Sequence, residues 1–187
     1  EYYWERSAIH NIDKIKVPVL SIVAQEGFLH SRGQLAAYPK IKSPKKLLVV
    51  PPSGLHAHEL FLTSEPLNRY LLKWYDQWLK GIDTGIMNEP EVAISDAVTL
   101  EWRYENEYPL TRTKWTKFYL RSNPAGSADK PPYALLSLEP AGKEAPDSYS
   151  IAESMKTAAM RQPVLAYSSQ PLEKDLRVWG PLSMTLY

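Results

Sequence analysis

Cysteine is absent from the 187 residues, and with it disulfides, thiolate metal sites and a cysteine nucleophile. Long apolar runs are missing too. The longest, such as Leu47-Leu-Val-Val-Pro51, fall far short of the roughly 20 residues that a membrane-spanning helix needs. Glu1-Tyr-Tyr-Trp-Glu-Arg6 has no secretory signal pattern, so a soluble, cytoplasmic chain without a membrane partner is expected. Neither sign of charge dominates: 22 Lys plus Arg face 21 Asp plus Glu, for a net charge of +1. No strong field draws the chain to nucleic acid, and no nucleic-acid partner is expected. What is plentiful is Tyr (12), Trp (6) and Pro (16), which fits a large apolar core threaded by ordered turns better than a helical bundle. The length allows one large domain or two small ones.

Val17-Pro-Val-Leu-Ser-Ile-Val-Ala24 is a short run of branched apolar residues and reads as a strand buried on both faces. Ser31 opens a helical stretch that Pro39 ends, and a second buried strand runs from Lys46 to Val50. Two such strands around a helix form a βαβ unit, which presents reactive groups beyond the carboxyl ends of its strands, here segments 24–30 and 51–58. Over residues 65–79 the spacing of Leu67, Tyr70, Leu71, Trp74, Tyr75 and Trp78 predicts an amphipathic helix, closed by Lys80 and Gly81. Past Pro90 the character changes. Short alternating runs, Glu91-Val-Ala-Ile-Ser95 and Lys114-Trp-Thr-Lys-Phe-Tyr-Leu120, alternate with turn-rich loops and predict antiparallel β structure from about Ala93 onward. Trp102, Trp115 and Trp179 are expected to be largely buried there, and 122–150 to form a long surface loop. The expected domains are 1–90 and 91–187.

Four histidines are present: His10, His30, His56 and His58. Imidazole changes charge near neutral pH and is the usual base for activating a hydroxyl. His56 and His58 stand in Pro51-Pro-Ser-Gly-Leu-His-Ala-His-Glu-Leu-Phe61, directly after a buried strand and before a helix, where a base projects over a sheet. The plain alternative is a solvated or hydrogen-bonded loop pair. Glu26, just past the first strand, stands where an acid partner for the imidazole belongs, with a solvent-facing turn residue as its plain alternative. His30 fits packing or hydrogen bonding better than catalysis. No nucleophile is visible, because none of the sixteen Ser stands in a Gly-x-Ser-x-Gly elbow.

Several motifs together resemble the cocaine-esterase (CocE/NonD) family of α/β-hydrolases. Tyr3-Trp-Glu-Arg-Ser-Ala-Ile-His-Asn-Ile-Asp-Lys-Ile-Lys-Val-Pro-Val-Leu20 resembles the approach to that family's acid-bearing strand. Gly27-Phe-Leu-His-Ser-Arg-Gly33 resembles the turn after its catalytic Asp. Leu71-Leu-Lys-Trp-Tyr-Asp-Gln-Trp-Leu-Lys-Gly-Ile-Asp-Thr-Gly85 is similar to the helix and exit turn after its catalytic His. Glu101-Trp-Arg-Tyr-Glu-Asn-Glu-Tyr-Pro-Leu110 resembles the start of its C-terminal jelly roll. Residues 167–187, with Leu176-Arg-Val-Trp-Gly-Pro-Leu182 at their centre, resemble a strand pair of that domain shared with Xaa-Pro dipeptidyl-peptidases.

The resemblance implies an α/β plus all-β chain, in which the C-terminal part of an α/β-hydrolase sheet leads into a partial jelly-roll β-sandwich. It implies a serine hydrolase acting on ester or amide substrates, including Xaa-Pro dipeptidyl peptides, through an acyl-enzyme and without cofactor. The nucleophile, oxyanion hole and cap would precede Glu1, and the remaining jelly-roll strands would follow Tyr187. Where the family carries Asp this chain has Glu26, one methylene longer. Aligning Glu59-Leu-Phe61 favours His58 as base, while counting from the strand end favours His56; the first alignment is preferred. One rival is a non-catalytic remnant or binding module with a carbohydrate-binding-like jelly roll. A second, a metal site at His56, His58 and Glu59, lacks the helical spacing that brings two His to one face. Assembly into a homo-oligomer stays open.

Overall fold

A computed structural model of the chain describes residues 2–25, 31–51, 64–122, 134–140, 142–147, 166–176 and 178–186. A short helix α1 (Tyr2–Glu5) and two 3-10 turns lead into strand β1 (Val19–Ala24). Helix α2 (Ser31–Ala37) passes into a 3-10 turn, Tyr38–Lys40, where Pro39 stops regular helix. Strand β2 (Lys45–Val50) follows. It pairs with β1 in parallel from Val19 opposite Lys45 to Ala24 opposite Val50, so the two carboxyl ends lie side by side. From Lys46 to Val50 every residue of β2 is buried, as a central strand of branched apolar residues should be.

Helix α3 (Glu65–Leu79) begins where the Ser64 hydroxyl accepts the Leu67 amide hydrogen at 3.4 Å, with Pro66 in the first turn. It stops at Gly81, whose φ of 69° is a left-handed conformation that suits glycine. Leu67 and Tyr70 on its inner face pack with Leu48 and Ala93, and with Leu20 and Ile22 of β1, to form the core on one side of the sheet. Trp74 is buried and meets Trp78 at 5.9 Å in a tilted pair.

Strand β3 (Val92–Ser95) lies parallel to β2, with Leu47 opposite Val92 and Val49 opposite Ile94. Strand β4 (Trp102–Glu105) returns antiparallel, Ser95 opposite Trp102, giving a sheet in the order β1-β2-β3-β4. The reversal is built on Asp96, whose carboxylate accepts the Val98 and Thr99 amide hydrogens at 2.9 and 3.0 Å.

At the amino-terminal end of this sheet, Lys46 turns its ammonium inward. It is 1% exposed and donates to the carbonyls of Glu89 and Pro90 at 2.7 and 2.9 Å. Burial lowers its pKa from the ordinary lysine value. Beside it the buried Tyr38 hydroxyl donates to Glu91 at 2.8 Å, and desolvation together with that carboxylate raises its pKa. Lys73 pairs with Glu89. These contacts fasten the connection between α3 and β3.

Two compact units divide the chain: Glu1–Thr113 with Gly180–Tyr187, and Lys114–Trp179. In the second, β5 (Tyr119–Arg121) pairs antiparallel with β6 (Ala134–Ser137), which pairs in parallel with the two-residue β7 (Tyr167–Ser168). Glu144 ties in the 142–147 segment by accepting from Arg121 at 2.7 and 2.8 Å and from the Ser122 amide at 2.9 Å. The arginine holds the Glu144 carboxyl below the usual carboxylate range. Asp147 accepts from the Tyr167 hydroxyl at 2.7 Å, and burial followed by that hydrogen bond pushes the phenol pKa up to about 12.

Several sequence expectations change here. Beyond residue 90, where a division is expected, β3 is hydrogen-bonded to β2, and the compact units part at Thr113 and Lys114. Strand pairing beyond Ala93 is mixed, with β3 on β2 and β7 on β6 parallel. Alternation of side chains announces a strand but carries no record of its neighbour. Trp102 is 41% and Trp115 67% exposed, and Trp179 is only partly buried. Trp102 stands on a strand at the edge of its sheet, where no further strand covers it among the described residues. The expected 122–150 surface loop contains β6, whose Ala134 is buried; an apolar run of four residues between proline-rich flanks is too short to outweigh them by composition.

Candidate functional site

The carboxyl-terminal edge of the first sheet is formed by Ala24 of β1, Val50 of β2 and Ser95 of β3. Gln25, the first residue past β1, joins all three strands. Its amide hydrogen is donated to the Val50 carbonyl at 3.4 Å, and its side-chain amide donates to the Ser95 carbonyl. The Ser31 hydroxyl, at the start of α2, donates to the Ala24 carbonyl at 2.7 Å. Ser95 is itself buried and its hydroxyl donates to the Asp96 carbonyl at 3.3 Å.

Glu26 follows Gln25 directly in the sequence, and His56 and His58 follow Val50 after a short connection. These three candidates, together with His30 and Glu59, lie outside the described residues. His10 lies within them, in the exposed 3-10 turn Ala8–His10 before β1. Among the described residues no group of three or more His, Asp or Glu side chains is arranged to hold a metal. No helix among them is long and apolar enough to cross a membrane.

The edge presents backbone and amide groups where β1 and β2 end next to each other. Parallel strands that end so can bring an acid that follows one to a base that follows the next. Sequence reasoning missed Gln25 and Ser31. The only trace was a polar side chain set flush against the end of an apolar strand, a signal shared by many turns.

Residues 84–187 match the family described as the X-Pro dipeptidyl-peptidase C-terminal non-catalytic domain. Among solved structures, a CocE/NonD family hydrolase from Staphylococcus aureus resembles the chain with a TM-score of 0.53 at 22% identity, over 68% of this chain and 22% of that one. A second crystal structure of a CocE/NonD family hydrolase from the same organism gives a TM-score of 0.48 at 25% identity, over 59% and 20%. The first likeness speaks to the fold. The chain spans about a fifth of the length of these solved proteins. No curated protein matches it. The family match takes in β3 and β4, so two strands of the four-stranded sheet come from the region described as non-catalytic. Through its residues 84–187 the chain belongs to the family described as the X-Pro dipeptidyl-peptidase C-terminal non-catalytic domain.

Proposed function

We propose that this chain contributes the base and the acid of a serine hydrolase that cleaves ester or amide bonds, X-Pro dipeptidyl peptides among them. The nucleophilic Ser comes from outside these residues, since no Gly-x-Ser-x-Gly elbow occurs in them. His58 takes the proton of that Ser as it attacks the carbonyl and returns it to the leaving alcohol or amine; water then repeats the cycle on the acyl-enzyme. Glu26 orients the imidazole and stabilises the imidazolium. His56 is the alternative base. The expected fold of residues 1–90 is the C-terminal part of an α/β-hydrolase sheet, and that of the remainder a partial jelly roll.

The observation that carries this reading is the parallel pairing of β1 and β2, with Ala24 opposite Val50. Glu26 and the His-x-His pair are the chemistry-bearing residues in the segments that leave those two ends. A second reading, a hydrolase-like remnant with a binding role, draws on the description of residues 84–187 as non-catalytic and on Glu in place of Asp at position 26. A fluorophosphonate probe separates the two, because it reacts with a hydroxyl only when a base activates it. The intact protein that carries this chain should label, and His58→Ala should slow labelling by a factor of about a hundred or more. Absence of labelling in the unsubstituted protein would favour the remnant.

A further inference from the structure

We propose that residues 144–147 form a strap across one end of the three-stranded sheet of the second unit, so that β7 stays docked only while Glu144 is held at β5. That end is where β5 finishes and where β6 and β7 begin, because β6 runs antiparallel to β5 and parallel to β7. Both anchors lie there. Glu144 accepts from the Arg121 guanidinium at 2.7 and 2.8 Å, and from the Ser122 amide and hydroxyl at 2.9 and 3.3 Å, at the close of β5. Three residues on, Asp147 accepts at 2.7 Å from the hydroxyl of Tyr167, the first residue of β7.

The span fits the gap. Arg121 stands opposite Leu135, and Leu135 opposite Ser168, so β5 and β7 lie two strand spacings apart, about 10 Å. Three extended residues reach about 10 Å as well. Pro146 favours that extension, since its ring fixes its own φ and keeps Ala145 out of the helical region. Ala145, Pro146 and Asp147 are exposed, so little burial holds the segment and its place depends on its ends. The two ends are unequal. Glu144 and Arg121 are both charged and largely sheltered from solvent, which makes theirs a strong link, whereas Glu139, 3.9 Å from the same guanidinium, is exposed and adds little. At the other end β7 has only two residues, paired with β6 at two positions, too short a ladder to hold an edge strand firmly. A strong anchor on β5 thus lends its hold to a weak strand two places away.

Each end can be read after the other is broken, by amide exchange in the 187-residue chain at neutral pH. Glu144→Ala removes the β5 anchor and should speed exchange over Tyr167–Ser168 about tenfold. Asp147→Ala removes the β7 anchor and should speed exchange of the Ser122 amide by a similar factor, because coupling between two sites is reciprocal. Native amide chemical shifts at Leu135 and Leu136 are expected in both variants, marking a sheet that remains formed. A far end left unmoved in either variant would overturn the strap. So would a change at the far end accompanied by loss of the native β6 shifts, since the unit would then have melted as a whole.

Discussion

Lys46 shows how much one residue can organise. A β2 that was apolar throughout would leave the Glu89 and Pro90 carbonyls, at the start of the β3 segment, without the donors that the ammonium gives them. Lys46→Met should therefore destabilise the chain by about 1 kcal/mol at neutral pH, since two partly buried hydrogen bonds to carbonyls are lost. The pH dependence has a definite sign. Burial makes the folded pKa of Lys46 lower than the unfolded value of 10.5, so the charged form opposes folding below the folded pKa. That opposition is relieved as pH rises from there toward 10.5. Urea unfolding of both proteins at pH 7 and pH 10 should show the advantage of the unsubstituted chain growing with pH. A gap that shrinks would contradict this account of Lys46.

Single elements carry separable expectations. Removing the cap of α3 with Ser64→Ala should cost about 1 kcal/mol, read as a fall of a few degrees in Tm. In the β3–β4 reversal Leu100 has a φ of 61° and is exposed, so it loses backbone energy without gaining burial. Leu100→Asn should raise stability by about 1 kcal/mol, because Asn tolerates that conformation. In the second unit Arg121 holds the Glu144 carboxyl below its ordinary range. That contribution is present above the ordinary carboxylate pKa and is lost as pH falls through the folded one. Glu144→Gln should hence loosen amide exchange at 119–122 at neutral pH, with the difference vanishing toward pH 3. Elements of this kind were largely legible in the sequence. The spacing from Leu67 to Trp78 matched α3, and the branched apolar runs marked β1 and β2. Neighbour relations were not legible. Glu91-Val-Ala-Ile-Ser95 reads as a strand, yet nothing in its alternation says that it lies beside β2, some forty residues earlier. The importance of Gln25 was hidden for the same reason, since its acceptor is Ser95.

At the scale of the whole molecule the family domain and the sheets do not share a boundary. The match to the C-terminal domain begins at Thr84, yet β3 and β4 complete the sheet that starts with β1 and β2. Cutting the chain at the family boundary would therefore strip two strands from the sheet and expose the buried side chains of β2. A chain truncated after residue 90 should fail to give the cooperative thermal transition expected of the full 187 residues. Exposed Trp102 and Trp115 make the complementary point: aromatic content announced a core, while burial depends on which surfaces meet. The central claim is that the segments following β1 and β2 in the sequence carry the acid and base of one hydrolytic centre. It is tested most directly by the kcat/KM of the intact protein on a nitrophenyl ester, measured beside His58→Ala and His56→Ala. The account predicts a loss of several orders of magnitude in His58→Ala and about tenfold or less in His56→Ala; unchanged rates in both variants would contradict it.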